Sequence, residues 1–280
     1  MSEADDASDT AAVRKSVAER LVAARSSASA LQDYPGPLPA TLAEAYARQD
    51  AAIALWPDEI AGWKVGGIAD AWAARMGESR LVGPIFSRHL WHARAGIATP
   101  LPVIPGGFAA IEAEYVFVLA ASAPPGRTQW TASQAADLVA ELRVGIELAG
   151  SPLATINELG PAVVVSDFGN NAGLTLGDPI ADWRSRPLES LTCETHVEGR
   201  RVGEGGANSI AGGPLSALAF ALGCCARRGR PLRAGAVIST GACTGIHPVR
   251  IGEEARVTFA GVAELRCRVV GAKPMSNRRI

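Results

Sequence analysis

The stretch Ile111–Leu119, reading IEAEYVFVL, constrains the fold more than any other part of this chain. Its β-branched and aromatic residues follow a Pro- and Gly-rich run and predict a strand entering a core. Yet it holds Glu112 and Glu114, and side chains two apart on a strand project to the same face. Two neighbouring carboxylates removed from water repel each other, and the burial costs several kcal/mol per ion unless something compensates. A divalent cation with oxygen ligands would compensate; an edge strand with its acidic face in solvent would have no need of one. The strand alone leaves both readings open.

A third acid narrows the choice. Arg143–Ala149, RVGIELA, also predicts a strand, and Glu147 again sits among apolar neighbours. Lys64 is the odd member of a short strand over 61–67, AGWKVGG, which feeds a glycine turn. Between Trp63 and Val65 a lysine either snorkels from an edge or points into a cavity.

Around these segments, Val13, Val17 and Leu21 recur at intervals of four and predict a helix over about 10–31. A second helix is expected over about 40–55, ended by Trp56-Pro57, and a short one over 70–76. The Gly and Pro of 77–105 predict irregular chain, in which His89 and His92 read as loop histidines because zinc would need further ligands. Thr131-Ala132-Ser133-Gln134 is a capping-box signature that should start a helix to about Leu142. Residues 162–167 read as a buried strand ending in the polar turn Phe168–Gly173, a place where ligand contacts are frequent. A hairpin is expected around Glu198-Gly199, an apolar helix from Pro214 to about Ala226, and strands at 236–240, 255–259 and 264–270. Gly203–Gly206 lacks the strand–helix context of a dinucleotide fingerprint.

With 280 residues, 48% of them hydrophobic, the chain can bury one large core or a core plus a small domain. A formal net charge of −1 gives no electrostatic ground for a nucleic-acid partner, and no apolar run reaches membrane-spanning length. The acidic start, Met1–Asp9, lacks signal-peptide features and is expected to be an unstructured tail. Five scattered cysteines, with Cys224 and Cys225 reading as core residues, suit a reduced, cytoplasmic protein.

The order of these segments resembles the fumarylacetoacetate hydrolase superfamily, within it the 2-oxopent-4-enoate (2-hydroxypentadienoate) hydratase and 4-oxalocrotonate decarboxylase branch. The resemblance is carried by Gly62-Trp63-Lys64-Val65-Gly66, Glu112–Leu119, Ile146-Glu147-Leu148, Ser166–Gly177 and Arg233–Gly241, in order over roughly 60–270. It implies an α+β fold, with a helical N-terminal segment packed on a mixed β-roll, divided as 1–75 and 76–280. It also implies Mg2+ or Mn2+ held by Glu112, Glu114 and Glu147, a catalytic Lys64, and substrate contacts from Asn170, Asn171 and Thr240. Desolvated beside Trp63 and near that cation, Lys64 would have a depressed pKa and shuttle a proton. All-oxygen ligand sets suit such hard cations.

The sequence departs from that pattern in several places. Gly67-Ile68-Ala69-Asp70 replaces the usual Thr-Ser after K-V-G-L, and Leu81–Phe86 lacks the acid that relatives carry near the substrate. Ala149-Gly150-Ser151-Pro152 lacks a family arginine, and Asn170 stands where a serine is usual. The ligand set is therefore intact while the groups that select substrate differ. The expected activity is that of a metal-dependent hydro-lyase, hydrating a 2-hydroxydienoate to a 4-hydroxy-2-oxo acid through a stabilised enolate. Decarboxylation of a 4-oxalocrotonate-type substrate and C–C hydrolysis of an acylpyruvate are the alternatives; His89, His92 and His247 form no recognisable pair for the latter. The expected partner is a small 2-oxo acid, with a homo-oligomeric assembly. Two rival readings are a non-catalytic partner subunit and solvent-facing acids with no metal.

Overall fold

Buried apolar residues recur along one side of the first helix, where Val17, Leu21 and Ala24 are all covered. The structure, a computed structural model, describes residues 3–275. Helix α1 spans Glu3–Ser26, so the acidic start is helical from Glu3 rather than an unstructured tail; Met1 and Ser2 lie outside the described residues. Helix α2 (Leu42–Leu55) is capped by the Thr41 hydroxyl, which accepts from the Glu44 amide. Strand β1 (Ile60–Gly67) and helix α3 (Asp70–Met76) follow as expected.

The next segment corrects an expectation. Residues 77–105 are not irregular but carry β2 (Arg80–Phe86), β3 (Leu90–His92) and β4 (Thr99–Val103). Gly83 belongs in β2 because a Cβ there would lie 2.1 Å from the Phe168 carbonyl oxygen, so the residue marks a close backbone approach, not a turn. Strand β5 (Phe108–Leu119) contains the two acids. The Thr131 capping box forms, yet α4 (Ala132–Ala136) is only five residues long, and β6 (Val139–Ser151) takes over the residues expected to continue it. Conversely, the Val-rich 162–167 segment is not a strand. It forms helix α5 (Pro161–Ser166), with Pro161 in its first turn and Gly160 at φ +93° before it.

Strand β7 (Asn171–Pro179) leads to the expected hairpin of β8 (Thr192–Val197) and β9 (Arg200–Gly206). Helix α6 (Pro214–Arg227) buries Cys224 and Cys225. The chain closes with β10 (Val237–Ser239), β11 (His247–Pro248), β12 (Glu254–Phe259) and β13 (Ala263–Gly271). Among the described residues, no helix is long and apolar enough to cross a membrane.

Two mixed sheets result. The larger runs β2-β1-β10-β5-β6-β7-β3, with β11 also paired to β5, and the smaller runs β4-β13-β12-β8-β9. Strand β1 thus hydrogen-bonds to β2 and, in parallel, to β10, which lies beside β5. The odd-numbered face of β5 (Ile111, Ala113, Tyr115, Phe117) joins Val257, Phe259 and Leu265 of the smaller sheet in the main core. Its even-numbered face carries Glu112 and Glu114, then Val116 and Val118, which pack with Leu174, Leu176 and Val237. Strand β5 is therefore covered on both sides, and the acids look into the protein.

Candidate metal centre

The register brings the acids together. Glu112 of β5 stands directly opposite Glu147 of β6, and Glu114 lies two residues along on the same face, opposite Gly145. Glu112 is 5% exposed and the other two are fully buried. One carboxylate oxygen from each lies within 4.8 Å of the others. The reading in which these acids face solvent is excluded by that burial. Gly145, opposite Glu114, is tightly packed, since a Cβ there would press on Val116 at 2.9 Å.

Lys64 reaches the same spot from β1. Its strand partner is Ser239 of β10, whose own partner is Val116, so all three belong to the face of the acids. Its ammonium stands 3.3 Å from Glu147 Oε1 and its side chain is almost wholly buried, so it points inward and does not snorkel. The expected depression of its pKa supposes a bound cation beside it; with the acids alone the shift runs the other way. Burial alone would lower it, but Glu147, Glu112 and Glu114 outweigh burial and raise it above the ordinary lysine value. Burial pushes Glu112 up to about 7, against the attraction of Lys64 and helped by Glu147. Burial, Glu147 and Glu112 push Glu114 well above the usual carboxylate range. Glu112 and Glu114 interact, so their protons come off in successive steps that belong to the pair and not to either residue.

Neighbouring groups hold the carboxylates in place. Asn171 Nδ2 donates to Glu147 Oε1 (3.0 Å), Ser239 Oγ to Glu147 Oε2 (3.5 Å), and the Gly241 amide to Glu114 Oε2 (2.6 Å). Thr240, beside them, donates its hydroxyl to the Tyr115 carbonyl (2.6 Å), which ties the strand end to β5. Asn170 is 4% exposed; its Nδ2 donates to Asn157 Oδ1 (3.4 Å), while its Oδ1 is buried with no partner. His89, by contrast, packs edge-on to Trp91, and His247 Nε2 pairs with Thr244 Oγ1 (3.0 Å); neither belongs to the acid cluster.

The residues expected from sequence to hold a cation fit one. Glu114 Oε1 is fully buried without a hydrogen-bond donor, a costly state that a cation would relieve. The ligand atoms are all carboxylate oxygens, the donor type that Mg2+ and Mn2+ take. Sequence reading missed Ser239 and Gly241 as carboxylate partners, though both adjoin the Thr240 that it singled out. It also missed Arg25 and Asp167, whose buried ion pair braces the Asn170–Asn171 turn from behind.

No protein-family model matches the chain, and no curated protein matches it by sequence. Solved structures do match. The 4-oxalocrotonate decarboxylase from Pseudomonas putida G7, complexed with calcium and acetate, is 23% identical with a TM-score of 0.75, covering 92% of this chain and 97% of that one. The same enzyme complexed with magnesium and adipate gives 22% identity, a TM-score of 0.76 and the same coverage. Fumarylpyruvate hydrolase from Pseudomonas aeruginosa, in complex with Mn2+ and pyruvate, is 18% identical with a TM-score of 0.51, covering 75% of this chain and 89% of that one. The α+β architecture expected from the sequence, with its curled mixed sheet, is therefore the fold of fumarylpyruvate hydrolase over three quarters of the chain and, over nearly the whole chain, that of 4-oxalocrotonate decarboxylase.

Proposed function

We propose that this protein is a divalent-metal-dependent lyase acting on a 2-oxo acid or its dienol. The observation that carries this reading is the convergence of Glu112, Glu114, Glu147 and Lys64 in one nearly dry site. Glu112, Glu114 and Glu147 would hold Mg2+ or Mn2+, which when bound supplies Lewis acidity toward the carboxylate and 2-oxo oxygens of such a substrate.

The chain's own groups supply the rest. Lys64, buried 3.3 Å from Glu147, is placed to stabilise negative charge as it develops and to move a proton to or from the substrate. Asn171 and Ser239 fix the orientation of Glu147. Asn170 Oδ1 is free to accept from a substrate hydroxyl or protonated carboxyl group. The burial of the cluster excludes water, which strengthens each of these interactions.

Two bond-changing steps compete. Hydration of a 2-hydroxydienoate, the reaction expected from the sequence, needs an activated water and proton transfers at two carbons. Decarboxylation of a 2-oxo-enedioate expels CO2 and needs only one group to settle the resulting charge. Lys64 is the cation paired with Glu147 among the ion pairs of the described residues, and Leu81–Phe86 brings no titratable side chain. This favours decarboxylation, as does the likeness to 4-oxalocrotonate decarboxylase over nearly the whole chain.

The test is incubation of the purified protein and Mg2+ with 4-oxalocrotonate, 2-hydroxydienoates and acylpyruvates, following absorbance, CO2 release and product identity. CO2 release from 4-oxalocrotonate is the expected result. Water addition to the dienoate without CO2 release would select hydration. No turnover of any of them, together with no stabilisation by Mg2+ or Mn2+, would overturn the enzyme reading.

A further inference from the structure

Arg25 lies in the last turn of α1, far in sequence from the acid cluster, yet its guanidinium is placed among the groups behind it. Nε donates to Asp167 Oδ1 (2.5 Å), and Nη2 to Asp167 Oδ2 (2.9 Å) and to the Asp167 carbonyl (3.2 Å). Nη2 also donates to the Gly150 carbonyl (2.8 Å), and Nη1 to the Asn171 carbonyl (3.1 Å). Ser151 donates to the same Asp167 Oδ2 (2.6 Å), and the guanidinium sits over the Phe168 ring, 5.1 Å from its centroid. The pair is buried on both sides, with 8% and 1% of the two side chains exposed. One side chain thus grips both ends of the turn 168–170 and the end of β6, the strand that carries Glu147.

The turn needs such a grip. Phe168, Gly169 and Asn170 take φ values of +54°, +67° and +60°, and two of these are not glycine. Each left-handed non-glycine residue costs on the order of 1 kcal/mol and persists where surrounding contacts over-determine it. On its inner side the same turn touches the candidate metal centre. Asn171 Nδ2 donates to Glu147 Oε1, and Gly169 packs so closely that a Cβ there would meet Lys64 Cδ at 3.4 Å.

We infer that Arg25 is a positioning residue for the metal centre: by fixing the Asn171 backbone and Asp167, it sets the hydrogen bond that orients Glu147. The inference rests on the reading of Glu112, Glu114 and Glu147 as metal ligands. Arginine is required because its planar fork reaches two carboxylate oxygens and three carbonyls together; a lysine ammonium cannot span them.

The test uses the full-length protein and Mn2+ alone as the probe, with affinity read from the electron paramagnetic resonance signal of free Mn2+. Arg25→Met and Arg25→Lys, verified as folded by circular dichroism, should each weaken Mn2+ binding by about tenfold or more, the loss usual for partners that orient a ligand. Val17→Ala loosens the packing of α1 without touching the guanidinium contacts and should leave the affinity within about twofold, the change expected of a site it does not contact. If Arg25→Met fails to fold, Asn171→Ala decides, because it cuts the same path at Glu147 and should produce the same loss. Unchanged affinity in the folded Arg25 variants or in Asn171→Ala, or an equal loss in Val17→Ala, would overturn the inference while leaving the metal site standing. A wild-type protein that binds no Mn2+ would overturn the metal reading and this inference with it.

Discussion

Glu112 and Glu147 stand face to face across the β5–β6 ladder, a cross-strand pair of like charges inside the protein. Such a pair is destabilising by itself, and Lys64 supplies one positive charge against three carboxylates. With all three ionised the site would carry an excess of negative charge, which protons on Glu112 and Glu114 or a bound cation relieve, and this shapes what each substitution should do.

Replacing Glu112 with Gln removes one of the opposed charges and keeps the shape. Without metal the variant should be more stable than the wild type, by about 1 kcal/mol or more. In Mg2+ it should lose the stabilisation that the wild type gains, since a neutral amide is a poor ligand for a hard cation. Thermal unfolding with and without Mg2+ checks both parts; an Mg2+ shift equal to the wild type's would remove Glu112 from the ligand set.

The pH dependence has a definite sign. Glu112 is raised from 4.5 to about 7 in the folded protein, and Glu114 is also raised well above its ordinary value, so the folded state holds more protons than the unfolded one through this range. Metal-free stability should therefore fall as pH rises from about 4.5 to beyond 7 on account of these groups. Cation binding needs both acids ionised, so it should release protons and tighten over the same window. Unfolding curves at about pH 5 and about pH 8, each with and without Mg2+, should show a much larger metal effect at the higher pH. An Mg2+ effect that shrinks with rising pH would contradict the assignment.

Gly83 offers a test of the wall behind Lys64. A methyl group there would sit 2.1 Å from the Phe168 carbonyl oxygen and 2.8 Å from Gly169 Cα, both backbone atoms that cannot swing aside. Gly83→Ala should push the turn 168–170 away from β2 and destabilise the protein by about 1–3 kcal/mol in denaturant unfolding. A wild-type midpoint and slope would mean that the turn yields freely.

The acid cluster was legible because strand alternation is strict. Once Ile111–Leu119 is a strand, Glu112 and Glu114 must share a face, and Glu147 needs only a neighbouring strand in register. Helix α5 was not legible, because a run of valines carries strand propensity and the helix is chosen by burial of most of its residues and by Pro161 after a left-handed Gly160. The long reach of β6 was hidden by Ala135, Leu138 and Leu142, whose spacing also suits a helix. Strand β2 was hidden by Gly83-Pro84, whose glycine serves packing between segments far apart in sequence. Arg25 and Asp167 are 142 residues apart, and no local pattern announces a bond over that separation.

Lys64 separates structural from chemical roles most sharply. It is the sole cation within reach of Glu147 among the ion pairs of the described residues, and Lys64→Met fills the same volume without charge. Without metal, the change leaves the acids unbalanced and should cost about 3 kcal/mol, typical of breaking a buried pair. A bound divalent cation would replace the lost charge, so Mg2+ should restore stability and shift the variant's unfolding temperature more than it shifts the wild type's. Catalysis should not be restored in the same way. A methionine cannot donate a proton, and loss of a general acid typically costs 10²–10⁴-fold in rate. The expected pattern is thus tight Mg2+ binding with turnover down by at least about a hundredfold. Wild-type turnover in Lys64→Met would show that the lysine serves only to balance the acids before metal arrives.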